Sequence, residues 1–594
     1  MNTFKDNDPR KENMQEKWFT DHPPSERYPH CTRANAGEVL PTPASPFGQT
    51  YGFDNAIGHG FQEASIVMGA YEADDYRDGK PEMVTFFGGY FYINMSCVRL
   101  QAVRNPAITV DQLDLAFFGD RPDTPPYEPH PEDDKPHLKE KIDAHMEFVL
   151  TTAEWPEILE EKARAEEIRH ERPNLEGAGD QELVDRIRDM HPLIKEFTTN
   201  QMVTATSSAI PPGMLAAVGE AVGDATIPMR LLAGLGDVDS AAPSFDLWEI
   251  SRMVRNDPDL TGAFDQGIDG LRERIESLAT PMSDAFLEAF DDFLYKYGSR
   301  GPNEWELSSH TWETDPNIPL VTIDRVRKQE DEKNPARGAK KSADERETLV
   351  EEVRTKLAEI GDEELIGVFE GALVGGNQMV FRERCKTTLV RVLHESRMAM
   401  RELGRRHTQQ GTIGDEDHIF MLIDEELEVF IADPSSFTDL LAERHAGWTQ
   451  LWDLTPPFFL RDGVVPPLSE WEIATTQDHQ IAVDGETLSG TAGSPGTTSG
   501  RARIVHDPTD PPDLEPGDIM VAPLTDPAWT PLFLAVDAVV VNVGGQVSHA
   551  VIVSRELGLP CVVSVEDATE RIADRSLIEV NGTTGEVTIL RGPE

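Results

Sequence analysis

Between Leu138 and Ser299 apolar residues recur at three- and four-residue spacing, in Ile142–Ile158, Leu183–Phe197, Met214–Leu235 and Leu271–Tyr297. That period predicts amphipathic helices. It returns in Leu349–Ile360, Glu364–Leu373, Met379–Leu403 and Ile423–Ile431, so the middle of the chain reads as mostly α. The Lys/Glu-mixed stretch Arg325–Glu347 reads as an exposed connection or the start of a solvated helix.

Two regions break this rhythm. Near the start, MVTFFGGYFYINMS (Met83–Ser96) alternates and is rich in aromatic residues, which predicts a β-hairpin turning at Gly88-Gly89. After it, the proline- and acid-rich Gly119–His137 predicts irregular chain. Near the end, short strand-like runs at Arg501–Val505, Asp518–Ala522, Ala538–Asn542, Cys561–Ser564, Leu577–Val580 and Glu586–Leu590 enclose helical segments around Trp529–Ala535 and Ala550–Leu557. The Gly/Ser/Thr-rich run Gly485–Gly500 before them has the composition of a tether.

The expected fold class is therefore multidomain: a mostly α substrate-binding domain with a small β element, and a C-terminal α/β domain. Residues 1–30 read as a polar lead-in, 31–483 as the mainly helical acceptor-binding domain, 484–500 as a flexible hinge and 501–594 as a swivelling domain.

Composition narrows the choices. Asp and Glu number 107 against 54 Lys and Arg, a formal charge of −53, which opposes nucleic-acid binding. The four cysteines are far apart and form no CxxC pair, so they read as reduced, mostly buried thiols. The longest apolar run, Leu532–Val543, is interrupted by Asp537 and falls short of the roughly 18 residues of a membrane helix. The first residues hold no apolar signal region, and the expected location is cytoplasmic.

The richest segment is VVVNVGGQVSHAVIVSRELGLPCVV (Val539–Val563). A buried strand runs into Gly544 and Gly545, which permit a sharp or left-handed turn. Ser548 is placed to cap a helix whose first turn carries His549, where free N–H groups favour an anion. A neutral imidazole is nucleophilic near pH 7. By position alone an ordinary hydrogen-bonding role for His549 stays open.

With LTDPAWTPLF (Leu524–Phe533) before it and VNGTTGEVTIL (Val580–Leu590) after it, this segment resembles the swivelling phosphohistidine domain of the phosphoenolpyruvate-utilising enzymes. The resemblance implies that His549 carries a phosphoryl group. Arg555 and Glu556 belong to the same signature, and a helix-surface role with ordinary charge partners is expected for both. The chain runs 45 residues past His549, too few for the roughly 250-residue barrel that exchanges phosphoryl with pyruvate in that superfamily. PARGAKKS (Pro335–Ser342) and GLGDVD (Gly234–Asp239) lack phosphate-loop and dinucleotide spacing. The phosphoryl group is therefore expected from another polypeptide, an ATP-grasp subunit that also holds ATP and Mg2+; no metal-ligand spacing is seen in this chain.

TRANAGEVLPTPASP (Thr32–Pro46), YGSRGPNEWEL (Tyr297–Leu307), FRERCK (Phe381–Lys386) and DEDHIFMLIDEEL (Asp415–Leu427) resemble the substrate domain of rifampin phosphotransferases, over roughly 30–480. Arg382 and Lys386, four apart in a helical pattern, share a face and suit a phosphoryl group in flight; a solvated helix face is the plainer alternative. Arg300 and Glu304 flank a Gly-Pro break and read either as catalytic or as a buried structural pair. His310 is a candidate general base or a structural histidine. Arg33, Asn35 and Glu38 either bind substrate or hold a loop.

The split organisation resembles phenylphosphate synthase and the related benzyl-alcohol-type phosphate synthases. An aromatic alcohol or phenol is therefore the expected acceptor, which the cluster Phe86, Phe87, Tyr90, Phe91 and Tyr92 would suit unless it is core. A rifamycin-like acceptor, or a regulatory phosphocarrier without a small acceptor, are the alternatives.

Overall fold

The structure, a computed structural model, describes residues 15–76, 81–105, 108–118, 121–473, 480–546 and 548–593. The helical period is realised closely. Strand β1 (Cys31–Thr32) leads into the short helix α1 (Ala34–Val39). The hairpin is present as β2 (Val84–Phe87) and β3 (Tyr90–Asn94), with Phe86 opposite Phe91. Gly88 and Gly89 have φ of 59° and 71°, the left-handed pair that a two-residue hairpin loop demands. With β4 (Phe459–Leu460) these strands form an antiparallel sheet in the order β2-β3-β1-β4.

Two long helices make the spine, α2 (Asp180–Ser207) and α3 (Asn377–Gln409), which lie against each other. At 33 residues, α3 is roughly 50 Å long. Their shared core takes in Ile187, Ile194, Phe197, Leu389, Leu393 and Leu403 together with the hairpin's Phe86 and Phe91. Separate apolar cores lie within 247–323 and within 215–379, so the stretch 31–483 is built around several cores. The Arg325–Glu347 stretch is helical for most of its length, spanning the end of Asn317–Val326 and the start of Pro335–Ile360.

The C-terminal strands are β5 (Thr487–Ser489), β6 (Thr491–Ser494), β7 (Thr497–Ile504), β8 (Asp518–Ala522), β9 (Ala538–Val541), β10 (Cys561–Val563), β11 (Leu577–Asn581) and β12 (Glu586–Arg591). They form one sheet in the order β5-β12-β11-β7-β8-β9-β10-β6. Strands β7 to β10 pair in parallel and the flanking strands antiparallel. Helix α4 (His549–Leu557) crosses from β9 to β10. The segment Pro527–Ala535 is a 3-10 helix, shaped by the prolines at 527 and 531.

Two expectations are corrected and one open alternative is decided. The supposed hinge 484–500 is folded into β5, β6 and the first half of β7. Its threonines suit strands, and Gly500 is there because a Cβ would come within 2.1 Å of the Gly517 carbonyl oxygen. The C-terminal unit therefore begins at least 14 residues before 501, at Thr487. The lead-in is packed from Trp18 onward, Trp18 and Tyr28 being 2% and 1% exposed, while residues 1–14 lie outside the described part. The aromatic cluster 86–92 is core, with Phe86, Phe87, Tyr90, Phe91 and Tyr92 all buried and the Tyr90 and Tyr92 hydroxyls donating to backbone carbonyls of Leu451 and Pro457.

The cysteines are free and buried, as their spacing predicts. No helix among the described residues is long and apolar enough to cross a membrane.

Candidate active site

His549 is the first residue of α4 and is half-buried. Both ring nitrogens face a hydroxyl: Thr525 Oγ1 is 3.1 Å from Nδ1 and Thr530 Oγ1 is 2.9 Å from Nε2. Phe533 closes one side of the ring, edge-on at 6.1 Å. Ser548 occupies the N-cap position, but its side chain caps nothing; its Oγ is buried without a hydrogen-bond partner, pressed against Gly544. This corrects the capping role expected for Ser548.

The histidine faces the helical part of the molecule. Burial, and then the positive charges of Lys386, Arg300 and Arg382, hold its pKa well below the ordinary 6.5, so the ring is neutral at physiological pH. Arg382 and Lys386 come from α3, four residues apart as the helical period dictates. Arg300 and Glu304 come from the turn after the helix Pro281–Tyr297. Arg300 Nε is 3.4 Å from Glu304 Oε2, Lys386 Nζ is 3.4 Å from Glu304 Oε1, and an Arg300 guanidinium N–H donates to Thr387 Oγ1 at 3.3 Å. Arg300 and Glu304 are 2% and 1% exposed, and Arg300 Nη2 and both Glu304 oxygens lack hydrogen-bond partners. Buried charges with spare hydrogen-bonding capacity are uncommon in a purely structural pair.

The turn is clamped from several sides. Buried Arg397 donates to the carbonyls of Leu307, Glu304 and Glu306, and Glu306 accepts from the backbone and hydroxyl of Ser45. Gly301 must be glycine, since a Cβ there would lie 2.6 Å from the His310 carbonyl oxygen. Asn303 sits at φ 53° and its N–H donates to Asp526 Oδ2 at 2.9 Å, joining this turn to the loop that carries Thr525 and Thr530.

Of the opening motif only Glu38 enters the site. Burial pushes its carboxyl up to about 7, with Arg382 and Lys386 pulling the other way. Arg33 instead spends its guanidinium on the carbonyls of Phe91, Leu40 and Pro41, over the rings of Tyr90 and Tyr92. Asn35 is exposed on α1. His310 is exposed, and the charges felt by its ring are Arg401, Asp417, Asp315 and Glu416, none of them in the His549 cluster. The structure thus assembles His549, Arg300, Glu304, Arg382, Lys386 and Glu38, and leaves Arg33, Asn35 and His310 apart.

Thr525, Asp526 and Thr530 join the site without having been sequence candidates. Asp526 caps the Pro527–Ala535 turn, accepting from the Ala528 N–H at 2.8 Å; Asp before Pro at a helix start is the signal that could have shown it. Burial pushes the Asp526 carboxyl up to about 6, opposed by the Asn303 amide and reinforced by Glu304. Arg555 and Glu556 are also corrected: both are buried, 3% and 5% exposed. Glu556 accepts from the N–H groups of Leu235 and Gly236, and Arg555 donates to the Gly493 carbonyl.

The two parts are pressed together around the site. Trp248 and Val326 join the core formed by Trp529, Leu532 and Phe533, while Ile552 packs on Val238, Ala241 and Val380. Gln329 donates to the Ala535 carbonyl at 2.8 Å. Among the described residues no group of three or more His, Cys, Asp or Glu is arranged to hold a metal ion.

Residues 197–370 match the family model of the rifampicin phosphotransferase fourth domain, and residues 514–585 match that of the PEP-utilising enzyme mobile domain. An uncharacterized protein of Mycobacterium tuberculosis is 31% identical over 318 residues, 54% of this chain and 33% of that protein. The rifampicin phosphotransferase of Streptomyces sviceus is 31% identical over 307 residues, 51% of this chain and 34% of that enzyme. An uncharacterized phosphotransferase of Bacillus subtilis is 26% identical over 353 residues, 58% of this chain and 41% of that protein. The matches span about a third of the first two relatives' lengths. His549 lies inside the stretch that matches the mobile-domain model, and the matched relatives include proteins named as phosphotransferases.

Proposed function

We propose that this chain is the histidine-bearing component of an ATP-dependent phosphotransferase, in which His549 takes a phosphoryl group from an ATP-grasp subunit and passes it to the hydroxyl of a small acceptor. The observation that carries the reading is the apposition of a neutral, hydroxyl-flanked His549 to Arg300, Arg382 and Lys386, three cations in a protein of charge −53. A transferring phosphoryl group spreads charge over its equatorial oxygens, and preorganised buried cations stabilise that charge.

In this reading the P–N bond to His549 breaks as the acceptor oxygen bonds to phosphorus. The hydroxyl proton passes to the Glu38 carboxylate, whose raised pKa of about 7 suits a general base. The ring leaves as neutral imidazole because the nitrogen opposite phosphorus already carries a proton in the phosphorylated ring, held there by donation to a threonine hydroxyl. Glu304 holds Arg300 and Lys386 in place without cancelling them, one anion against two cations.

The donor side rests on the sequence. ATP and Mg2+ belong with the partner subunit, which converts ATP to AMP and phosphate as it loads His549. The acceptor is an alcohol or phenol; its aromatic character rests on resemblance to the split synthases, since the 86–92 aromatics are core. Loading the purified chain with phosphoramidate and adding phenol, benzyl alcohol or rifampicin tests the transfer half. The expected result is an acid-labile label on His549 that moves to one of these hydroxyls. Label that survives His549→Ala would sink the reading.

A further inference from the structure

Asp526 touches neither ring nitrogen of His549, yet it lies between the two residues that do. Its two carboxylate oxygens have different tasks. Oδ1 accepts the Ala528 N–H at 2.8 Å and so caps the Pro527–Ala535 turn that presents Thr530. Oδ2 accepts the Asn303 N–H at 2.9 Å, from the turn of the helical part that carries Arg300 and Glu304. Thr525, the preceding residue, contacts Nδ1 of His549, and Thr530, four residues on, contacts Nε2.

We infer that Asp526 is a positioning residue that couples docking of the C-terminal domain to the orientation of the His549 ring, through Thr525 and Thr530. The inference rests on the reading of His549 as the phosphoryl carrier. Only an ionised carboxylate satisfies both amides at once. Asn offers one acceptor oxygen and would turn an NH2 group against one of the two N–H donors. When the Asn303 contact forms, the 525–530 loop is fixed and both hydroxyls are set on the ring. When the domains part, that contact is lost and the loop keeps only its local cap, which frees the ring to meet a donor.

The charged groups around Asp526 agree with this arrangement. Glu304 opposes its ionisation and Lys386 favours it, both from the helical part, so the domain that receives the phosphoryl group also sets the charge of the residue that senses its arrival.

The test is the reactivity of His549 toward diethyl pyrocarbonate, which modifies neutral imidazole nitrogen, followed by peptide mass spectrometry on the full chain. Asp526→Asn is expected to raise the modification rate of His549 about tenfold, the weight of one hydrogen bond to a charged group, with other histidines unchanged. Asp526→Glu, which keeps two acceptor oxygens, is expected to stay closer to wild type. Thr530→Val, which leaves Asp526 intact and preserves side-chain shape, is expected to raise His549 reactivity as well. Equal rates for wild type and Asp526→Asn, equal rates for Asp526→Asn and Asp526→Glu, or an unchanged rate in Thr530→Val would each overturn the coupling. None of these measurements needs phosphoryl transfer. Failure of phosphoramidate to label His549 would remove the functional reading and leave this result standing on its own.

Discussion

Lys386 Nζ lies 3.4 Å from Glu304 Oε1, and Glu304 is also the partner of Arg300, on a carboxylate 1% exposed to solvent. One anion thus supports a buried and a half-buried cation drawn from different elements, and the surplus positive charge faces His549. Removing Glu304 should be costly, because Arg300 would stay buried without its partner. Glu304→Ala is expected to lower stability by about 3–5 kcal/mol in denaturant unfolding. An unchanged unfolding midpoint would contradict the pairing.

Arg382 and Lys386 are expected to act in the proposed transfer step and not in loading. Lys386→Ala and Arg382→Ala should each slow transfer from phosphorylated His549 about a hundred- to a thousandfold. Formation of the phosphohistidine with phosphoramidate should be unaffected. Single-turnover decay of the label in the presence of acceptor separates the two steps.

The pH dependence follows from Glu38. Its carboxyl is raised above the ordinary 4.5 to about 7, so it is protonated, and unable to take the acceptor's proton, on the acid side of that value. Transfer should therefore rise with pH through about 7 and level off above it. Unphosphorylated His549, held well below 6.5, stays neutral across this window, so chemical loading should lack this rise. Glu38→Gln should give a slow, flat profile; a profile that keeps its rise would assign the base elsewhere.

Docking depends on close backbone approach at Gly338, where a Cβ would stand 2.3 Å from the Leu557 carbonyl oxygen at the end of α4. Gly338→Ala should push the C-terminal domain off its seat and slow transfer. Chemical loading of His549 should be equal or faster. Small-angle scattering, which should report a larger radius of gyration for the variant, gives an independent check.

Arg33 is expected to act on stability alone. Arg33→Ala strands the carbonyls it bonds, at about 1–3 kcal/mol for a buried group left unpaired, visible as a lowered thermal midpoint. Transfer by the folded fraction should match wild type.

The residues legible in the sequence are those whose signal is local. The helical period placed Arg382 and Lys386 on one face, and the strand, glycine pair and helix start placed His549 at the head of α4. Local signals misled where one composition serves two purposes. Glycines in 485–500 suggest freedom, but at Gly500 the missing side chain lets another strand's backbone approach. Arg33 and Glu38 stand five residues apart in one motif, yet the guanidinium turns to hairpin carbonyls while the carboxyl turns toward α3.

By itself the sequence determined the helices, the hairpin, the C-terminal α/β pattern and the nucleophile candidate, because each is set by propensity, period and turn chemistry within a few residues. Only the tertiary structure decided which charges meet. Arg300 and Lys386 come from separate stretches of chain and bear on His549, while Glu38 and Asp526, from two more, meet them at Lys386. Electrostatic coupling depends on distance and burial in space, and the spacing of residues along the chain carries no record of either.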